Sequence, residues 1–276
     1  MNKLIALSLA LVMILAALAS CGGGEEKETE APLLSVSRKD DSVPRPDVTT
    51  DGADAPQSET EAEKIPIDSD AYTGVQYSGP ADISVLSKAV IIGDSRVKGL
   101  PLYTAISSSG ARVYADEGLS VAKLETSEFV QLNGNKVTVF DALRADPDYD
   151  SVYIALGINE IGLDLAYIDS WINRFAGVIE KIREINPDAQ IYLQAILPVT
   201  KAKSDSDEIF TKSQIDGYNQ NLLALAKRLG VNFLNTDEMF VASDGYLPDE
   251  GDAGDGIHVN KEYTEKWLNY IIEHRA

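Results

Sequence analysis

Cysteine occurs once in this 276-residue chain, at Cys21, so no disulfide within the chain can hold the fold together. Histidine is almost as scarce. Only His258 and His274 are present to act as an imidazole base. Positive charge is also short: 24 Lys and Arg stand against 44 Asp and Glu, a net charge of −20. That balance argues against a nucleic-acid partner, whose phosphates favour a basic face. The run from Leu4 to Leu18, broken only by Ser8, is shorter than the roughly 20 residues a membrane span prefers. No internal repeat is visible.

That run nevertheless carries information. Lys3 precedes it, and Leu18-Ala19-Ser20-Cys21 follows with small residues before a cysteine. Residues 1–20 thus have the pattern of a bacterial lipoprotein signal peptide, with a simple secretory signal as the rival. The expected product begins at a lipidated Cys21 and is anchored on the extracytoplasmic face of the cell membrane. Residues 21–82 are expected to be a disordered acidic tether, because Gly, Pro, Ser, Thr, Asp and Glu dominate and large apolar residues are few. Between residues 22 and 82 lie 15 acids and 5 bases, so 15 − 5 = 10 negative charges, half of the net −20, belong to this stalk. Residues 83–276 remain, a length that suits one α/β domain with a core.

Within that domain short apolar runs alternate with helical patterns. Strands are expected at 89–92, 111–115, 151–156, 190–197 and 231–234. Leu165, Ile168, Ile172, Phe175, Ile179 and Ile182 recur at three- and four-residue spacing, the mark of one helix face, which should stop near Asn186-Pro187. Ile215, Tyr218, Leu222, Leu225 and Leu229 mark a second helix with Gly230 placed to end it. A last helix should follow Asn260, with His274 facing solvent in its final turn, where a cation is favoured. Asn133-Gly134 suits the tight turn of a small hairpin over 132–137. Strand and helix in alternation imply a parallel sheet covered on both faces, whose ligands bind beyond the carboxyl ends of the strands.

Three fragments fall at such places. Gly93-Asp94-Ser95 follows the first apolar run, Gly157-Ile158-Asn159 follows the third, and Asp255-Gly256-Ile257-His258 precedes the last helix. A serine hydroxyl needs a base to take its proton as it attacks, and a histidine supported by a carboxylate is the usual base. His258 has Asp255 three residues before it, whereas His274 lies two residues from the end. Each residue has a plainer alternative. Ser95 could cap the next helix, Asn159 could end its strand, and Asp255 could be one more loop acid. Ser-x-x-Lys occurs at both Ser95 and Ser120, but no Lys-Thr-Gly or Ser-Asp-Asn accompanies it, so the penicillin-recognising enzymes are excluded. No Gly-x-Ser-x-Gly is present for an α/β-hydrolase. The acidic stretch from Asp244 to Asp255 lacks EF-hand spacing, and no metal or cofactor is expected.

Taken in order, Gly93-Asp94-Ser95, Gly118, Gly157-Ile158-Asn159 and Asp255-Gly256-Ile257-His258 resemble the blocks of the SGNH, or GDSL-type, hydrolase superfamily over the whole domain. The resemblance implies a three-layer flavodoxin-like fold with a central parallel sheet, and a serine esterase acting through an acyl-serine. It makes Ser95 the nucleophile, His258 the base and Asp255 its support. The oxyanion hole would comprise the Ser95 and Gly118 backbone N–H groups and the Asn159 amide, although Gly118 is nearly as well explained as a turn glycine. One departure is visible: Glu160 stands where the family usually has aspartate, which bears on local hydrogen bonding rather than on the reaction. The expected substrate is an acylated small molecule or glycan carrying a short acyl group, acetyl above all. An acyltransferase or a lysophospholipase-type lipase could use the same triad, and a surface lipoprotein could keep the fold for binding alone.

Overall fold

The computed structural model describes residues 74–162 and 167–276. The signal segment, Cys21, most of the tether and Leu165 lie outside the described residues. All five apolar runs expected as strands form them. In chain order come β1 (Ala89–Gly93) and β2 (Arg112–Ala115), a hairpin of β3 (Val130–Leu132) and β4 (Asn135–Val137), then β5 (Ser151–Ala155), β6 (Gln190–Gln194) and β7 (Asn232–Leu234). The main sheet runs β2-β1-β5-β6-β7 with every pair parallel. The hairpin stands apart, and Asn133 and Gly134 both have positive φ, as its tight turn requires.

The helices are α1 (Gly99–Tyr103), α2 (Val139–Ala145), α3 (Ile168–Ile185), α4 (Lys201–Ser206), α5 (Lys212–Leu229) and α6 (Lys261–Glu273). Their ends follow local chemistry. Asn186, extended before Pro187, stops α3; left-handed Gly230 stops α5; and the Asn260 side chain caps α6 by accepting from Tyr263 N–H. Alternate residues of each strand feed opposite layers. Val90, Ile92, Val152, Ile154 and Leu193 pack against Phe140, Phe175, Ile179, Leu222 and Leu225 of α2, α3 and α5. Ala89, Ile91, Tyr153 and Tyr192 pack against Leu100 of α1 and Trp267, Leu268 and Ile271 of α6. This is the three-layer, central-parallel-sheet α/β fold expected from the sequence.

Three expectations are corrected. β6 ends at Gln194 rather than 197, because other groups take over its backbone. The Asn219 side chain bonds both Ile196 N–H and Ile196 C=O, and Arg96 Nη1 donates to Leu197 C=O. The tether does not reach residue 82. Val75 N–H donates to Phe233 C=O at 2.8 Å and Ser78 N–H to Glu273 C=O at 2.7 Å, so the chain joins the domain by residue 75. His274 does not face solvent. It is 7% exposed, its ring stacks on Tyr270 at 3.7 Å, Tyr77 meets it edge-on, and Nδ1 donates to Tyr270 C=O. One of the residues assigned to the tether, Tyr77, thus helps to cover it.

With the hairpin set aside, the strand order reverses between β1 and β5. Such a switch point opens a crevice at the carboxyl ends of those two strands, where open α/β sheets take their ligands.

Candidate active site

Ser95 stands at that crevice, two residues beyond β1. Asp94 Oδ1 accepts the Arg96 N–H at 2.9 Å and so turns the chain sharply at the end of the strand. Asp94 and Arg96 are buried beneath the serine, with Arg96 Nη1 held by Leu197 C=O at 2.9 Å. Burial pushes the Asp94 carboxyl up and the Arg96 guanidinium down, and each charge resists the other's shift. Ser95 is half-buried and caps no helix: Lys98 is the N-cap of α1 and makes no side-chain cap bond. The serine hydroxyl instead lies 2.9 Å from His258 Nε2.

His258 Nδ1 lies 2.6 Å from Asp255 Oδ2. The other oxygen, Oδ1, accepts the backbone N–H groups of His258 at 2.8 Å and Ile257 at 2.9 Å. Burial opposes ionisation of Asp255, but these backbone donors and the His258 ring outweigh it and hold the carboxyl at about 2. An ionised carboxylate only accepts, so Nδ1 carries the hydrogen and Nε2 is left to accept from Ser95 Oγ–H. Gly256 makes the loop possible. Its φ is +77°, and a Cβ there would lie 2.7 Å from Lys203 Cβ and 2.9 Å from Thr200 Oγ1. Its N–H donates to Asp252 Oδ1 at 2.9 Å and its C=O accepts from Thr200 N–H, so the loop is fixed on both sides.

Across the crevice the turn after β5 carries Asn159. Gly157 has φ +137°, and a Cβ would lie 2.4 Å from Ile196 Cδ1, so the turn rests directly on the segment after β6. Asn159 is exposed and donates one Nδ2 hydrogen to Leu119 C=O at 2.8 Å, leaving the second for another acceptor. Gly118 follows β2 in a turn with φ +64°. Among the described residues, neither the Ser95 nor the Gly118 N–H has a hydrogen-bond partner. At the rim Lys98 Nζ pairs with Glu117 at 2.7 Å, and Glu117 is held below its usual value by that bond first and slightly by His258.

The geometry therefore joins Ser95, His258 and Asp255 by hydrogen bonds, and the Leu119–Asn159 bond ties the Gly118 and Asn159 turns together. Such a relay can remove the proton from a serine hydroxyl as it attacks an acyl carbon. Two contributors went unseen in the sequence. Arg96, anchored to Leu197 C=O, carries no local motif. Glu160 stood out only as a departure, and its contact with Val121 N–H at 2.6 Å has no sequence signal.

Comparison with known proteins identifies the family and the fold. The model of the GDSL-like lipase/acylhydrolase family matches residues 91–263. Among solved structures, the chain is similar to a Streptococcus pneumonia protein described as a candidate platelet activating factor. That match has 19% identity and a TM-score of 0.51, and covers 68% of this chain and 87% of the other. It is also similar to a candidate lipolytic protein of the G-D-S-L family from Desulfitobacterium hafniense DCB-2. There the identity is 16% and the TM-score 0.51, with 68% of this chain and 99% of the other covered. At such identities the likeness speaks to the fold. No match was found among curated proteins.

Proposed function

The chain belongs to the GDSL-like lipase/acylhydrolase family and is a hydrolase of acyl esters, and from that premise we propose that it is a serine esterase removing short acyl groups, above all acetyl, from extracytoplasmic carbohydrate. The observation that supports the serine-esterase chemistry is the relay of 2.9 Å and 2.6 Å from Ser95 through His258 to Asp255 at the sheet's switch point.

Ser95 Oγ attacks the ester carbonyl carbon as its proton passes to His258 Nε2. Asp255 keeps the ring oriented and stabilises the imidazolium. Charge develops on the former carbonyl oxygen, which the Ser95 N–H, the Gly118 N–H and the second Asn159 N–H receive; one such donor contributes about 2.7–4 kcal/mol. Collapse breaks the bond to the leaving alcohol, which takes the proton from His258 and leaves an acyl-serine. Water then gives its proton to His258 and attacks the acyl carbon, releasing the acid and restoring Ser95.

One observation and one expectation from the sequence favour a short acyl group on a polar leaving group. The residues at the rim, Lys98, Glu117, Asn159 and Asp255, are charged or polar. In addition, the proposed tether, about 50 residues between Cys21 and the start of the domain, would have a coil dimension of about 40 Å, more when its charges repel, which suits a reach into a glycan layer. The lipid anchor at Cys21 belongs to the same proposal and rests on the sequence around that residue. The test is a panel of acetylated glycans and synthetic esters from acetyl to palmitoyl, assayed with the full chain. Acetate release and a kcat/KM falling with acyl length are expected. A value rising steadily with length, or no acetate from any glycan, overturns the substrate assignment. Product transfer to a second sugar in place of acetate release identifies an acyltransferase.

A further inference from the structure

Glu160 is a buried acid that the reaction above does not use. It is 4% exposed, and each part of it is engaged differently. Its N–H donates to Gly157 C=O at 3.0 Å and closes the turn that bears Asn159. Its C=O accepts the Tyr218 hydroxyl at 2.8 Å, which ties that turn to α5. Carboxylate oxygen Oε1 reaches across to the Val121 N–H at 2.6 Å, the residue three places after Gly118. Oxygen Oε2 is buried with no hydrogen bond. The Trp171 indole N–H acts on the carboxylate but stops short of hydrogen-bonding geometry. An acid kept in so dry a place is costly unless its one strong bond has a purpose.

That bond spans the two turns on which the oxyanion donors sit. One is Gly157–Glu160, with the Asn159 amide; the other is Gly118–Val121, with the Gly118 N–H. We propose that Glu160 is a positioning residue that clamps the Val121 turn to the Asn159 turn and thereby sets the separation of the Gly118 and Asn159 donors. The proposal rests on the oxyanion assignment above. Asn159 Nδ2 to Leu119 C=O forms a second tie between the same turns, but it uses the amide itself and cannot orient it independently. The side-chain length of glutamate is what reaches Val121. Aspartate is one methylene shorter and leaves the N–H unpaired.

The clamp can be broken from either end. Glu160→Asp withdraws the acceptor. Val121→Pro deletes the donor, at the first position of its short helical turn, after Ser120 in an extended conformation (φ −131°, ψ 162°) that precedes proline without strain. Glu160→Gln keeps both length and acceptor. With p-nitrophenyl acetate, and with rates expressed per serine titrated by an organophosphonate, Glu160→Asp and Val121→Pro should each lower kcat about ten- to hundredfold with KM changed less than about threefold. The double variant should lose no more than the worse single one, because both break one bond. Glu160→Gln should stay within about fivefold of the parent. Counting titrated serines removes any misfolded fraction, so a role in stability alone would leave kcat unchanged. Rates of both single variants within twofold of the parent overturn the proposal, as does a Glu160→Gln loss equal to that of Glu160→Asp. Ser95→Ala, run beside them, tests the assignment beneath: full activity there overturns the site itself, whatever Glu160 does.

Discussion

Replacing Glu160 by glutamine should change how stability depends on pH, and the size of the change can be worked out beforehand. Burial is the main cause that lifts this carboxyl from 4.5 to about 7; Asp94 adds to it, while the Val121 N–H and the Trp171 indole work against it. The folded form therefore holds a proton that the unfolded chain releases between those two values. In that window the folded state binds more protons, so its stability falls as pH rises. The contribution is fully present below pH 4.5 and is lost by the time pH passes 7. At about 1.4 kcal/mol per pH unit the loss is on the order of 3 kcal/mol. Glutamine has no proton to lose. The stability of Glu160→Gln minus that of the parent should accordingly rise by on the order of 3 kcal/mol between pH 4.5 and pH 8. For a domain of this length, that is about 6–12 °C in relative Tm. Urea unfolding of both proteins across that range measures it, and the subtraction cancels the other acids of the chain. A difference that stays flat, or that falls with pH, refutes the claim that this carboxyl is desolvated beside the oxyanion turn.

Other outcomes follow from the same geometry. Ser95→Ala and His258→Ala should each reduce ester hydrolysis by several orders of magnitude, and Asp255→Asn should cost less; steady-state rates on acetyl esters measure all three. Asn159→Ala should lower kcat about a hundredfold or more with little change in KM, because its second N–H meets charge only in the transition state. Gly157→Ala forces a Cβ to within 2.4 Å of Ile196 Cδ1 at φ +137°, and thermal melts should show a loss of about 2 kcal/mol or more. Cys21→Ala should leave an uncleaved or detergent-free protein in phase partitioning, and intact mass should show no acyl chains; an unmodified N-terminus in the parent would sink the anchor.

Much of this protein could be read along the chain because the signals are local. Strand runs such as Ala89-Val90-Ile91-Ile92 are apolar on both faces, as a strand covered by helices must be. Asn133-Gly134, Asn186-Pro187, Gly230 and Asn260 mark turns and helix ends through the backbone angles or caps each favours. The serine and histidine motifs were legible through their order relative to those elements. His274 was misplaced because burial is not local: Tyr77, far earlier in the chain in a segment assigned to the tether, lies edge-on to its ring, and Ser78 bonds the neighbouring Glu273 C=O.

The sequence by itself determined the elements, their alternation and the residue types available for ester chemistry. Tertiary structure alone decided which of them meet. Ser95 and His258 stand 163 residues apart and come to 2.9 Å because β1 takes β5 as its other neighbour and the loop before α6 folds over their ends. The contact of Glu160 with Val121 crosses 39 residues between two turns that no periodicity links. Periodicity and turn chemistry report on neighbours a few residues away. Proton transfer and donor spacing depend on angstroms between distant segments, and only sheet order and close packing fix those.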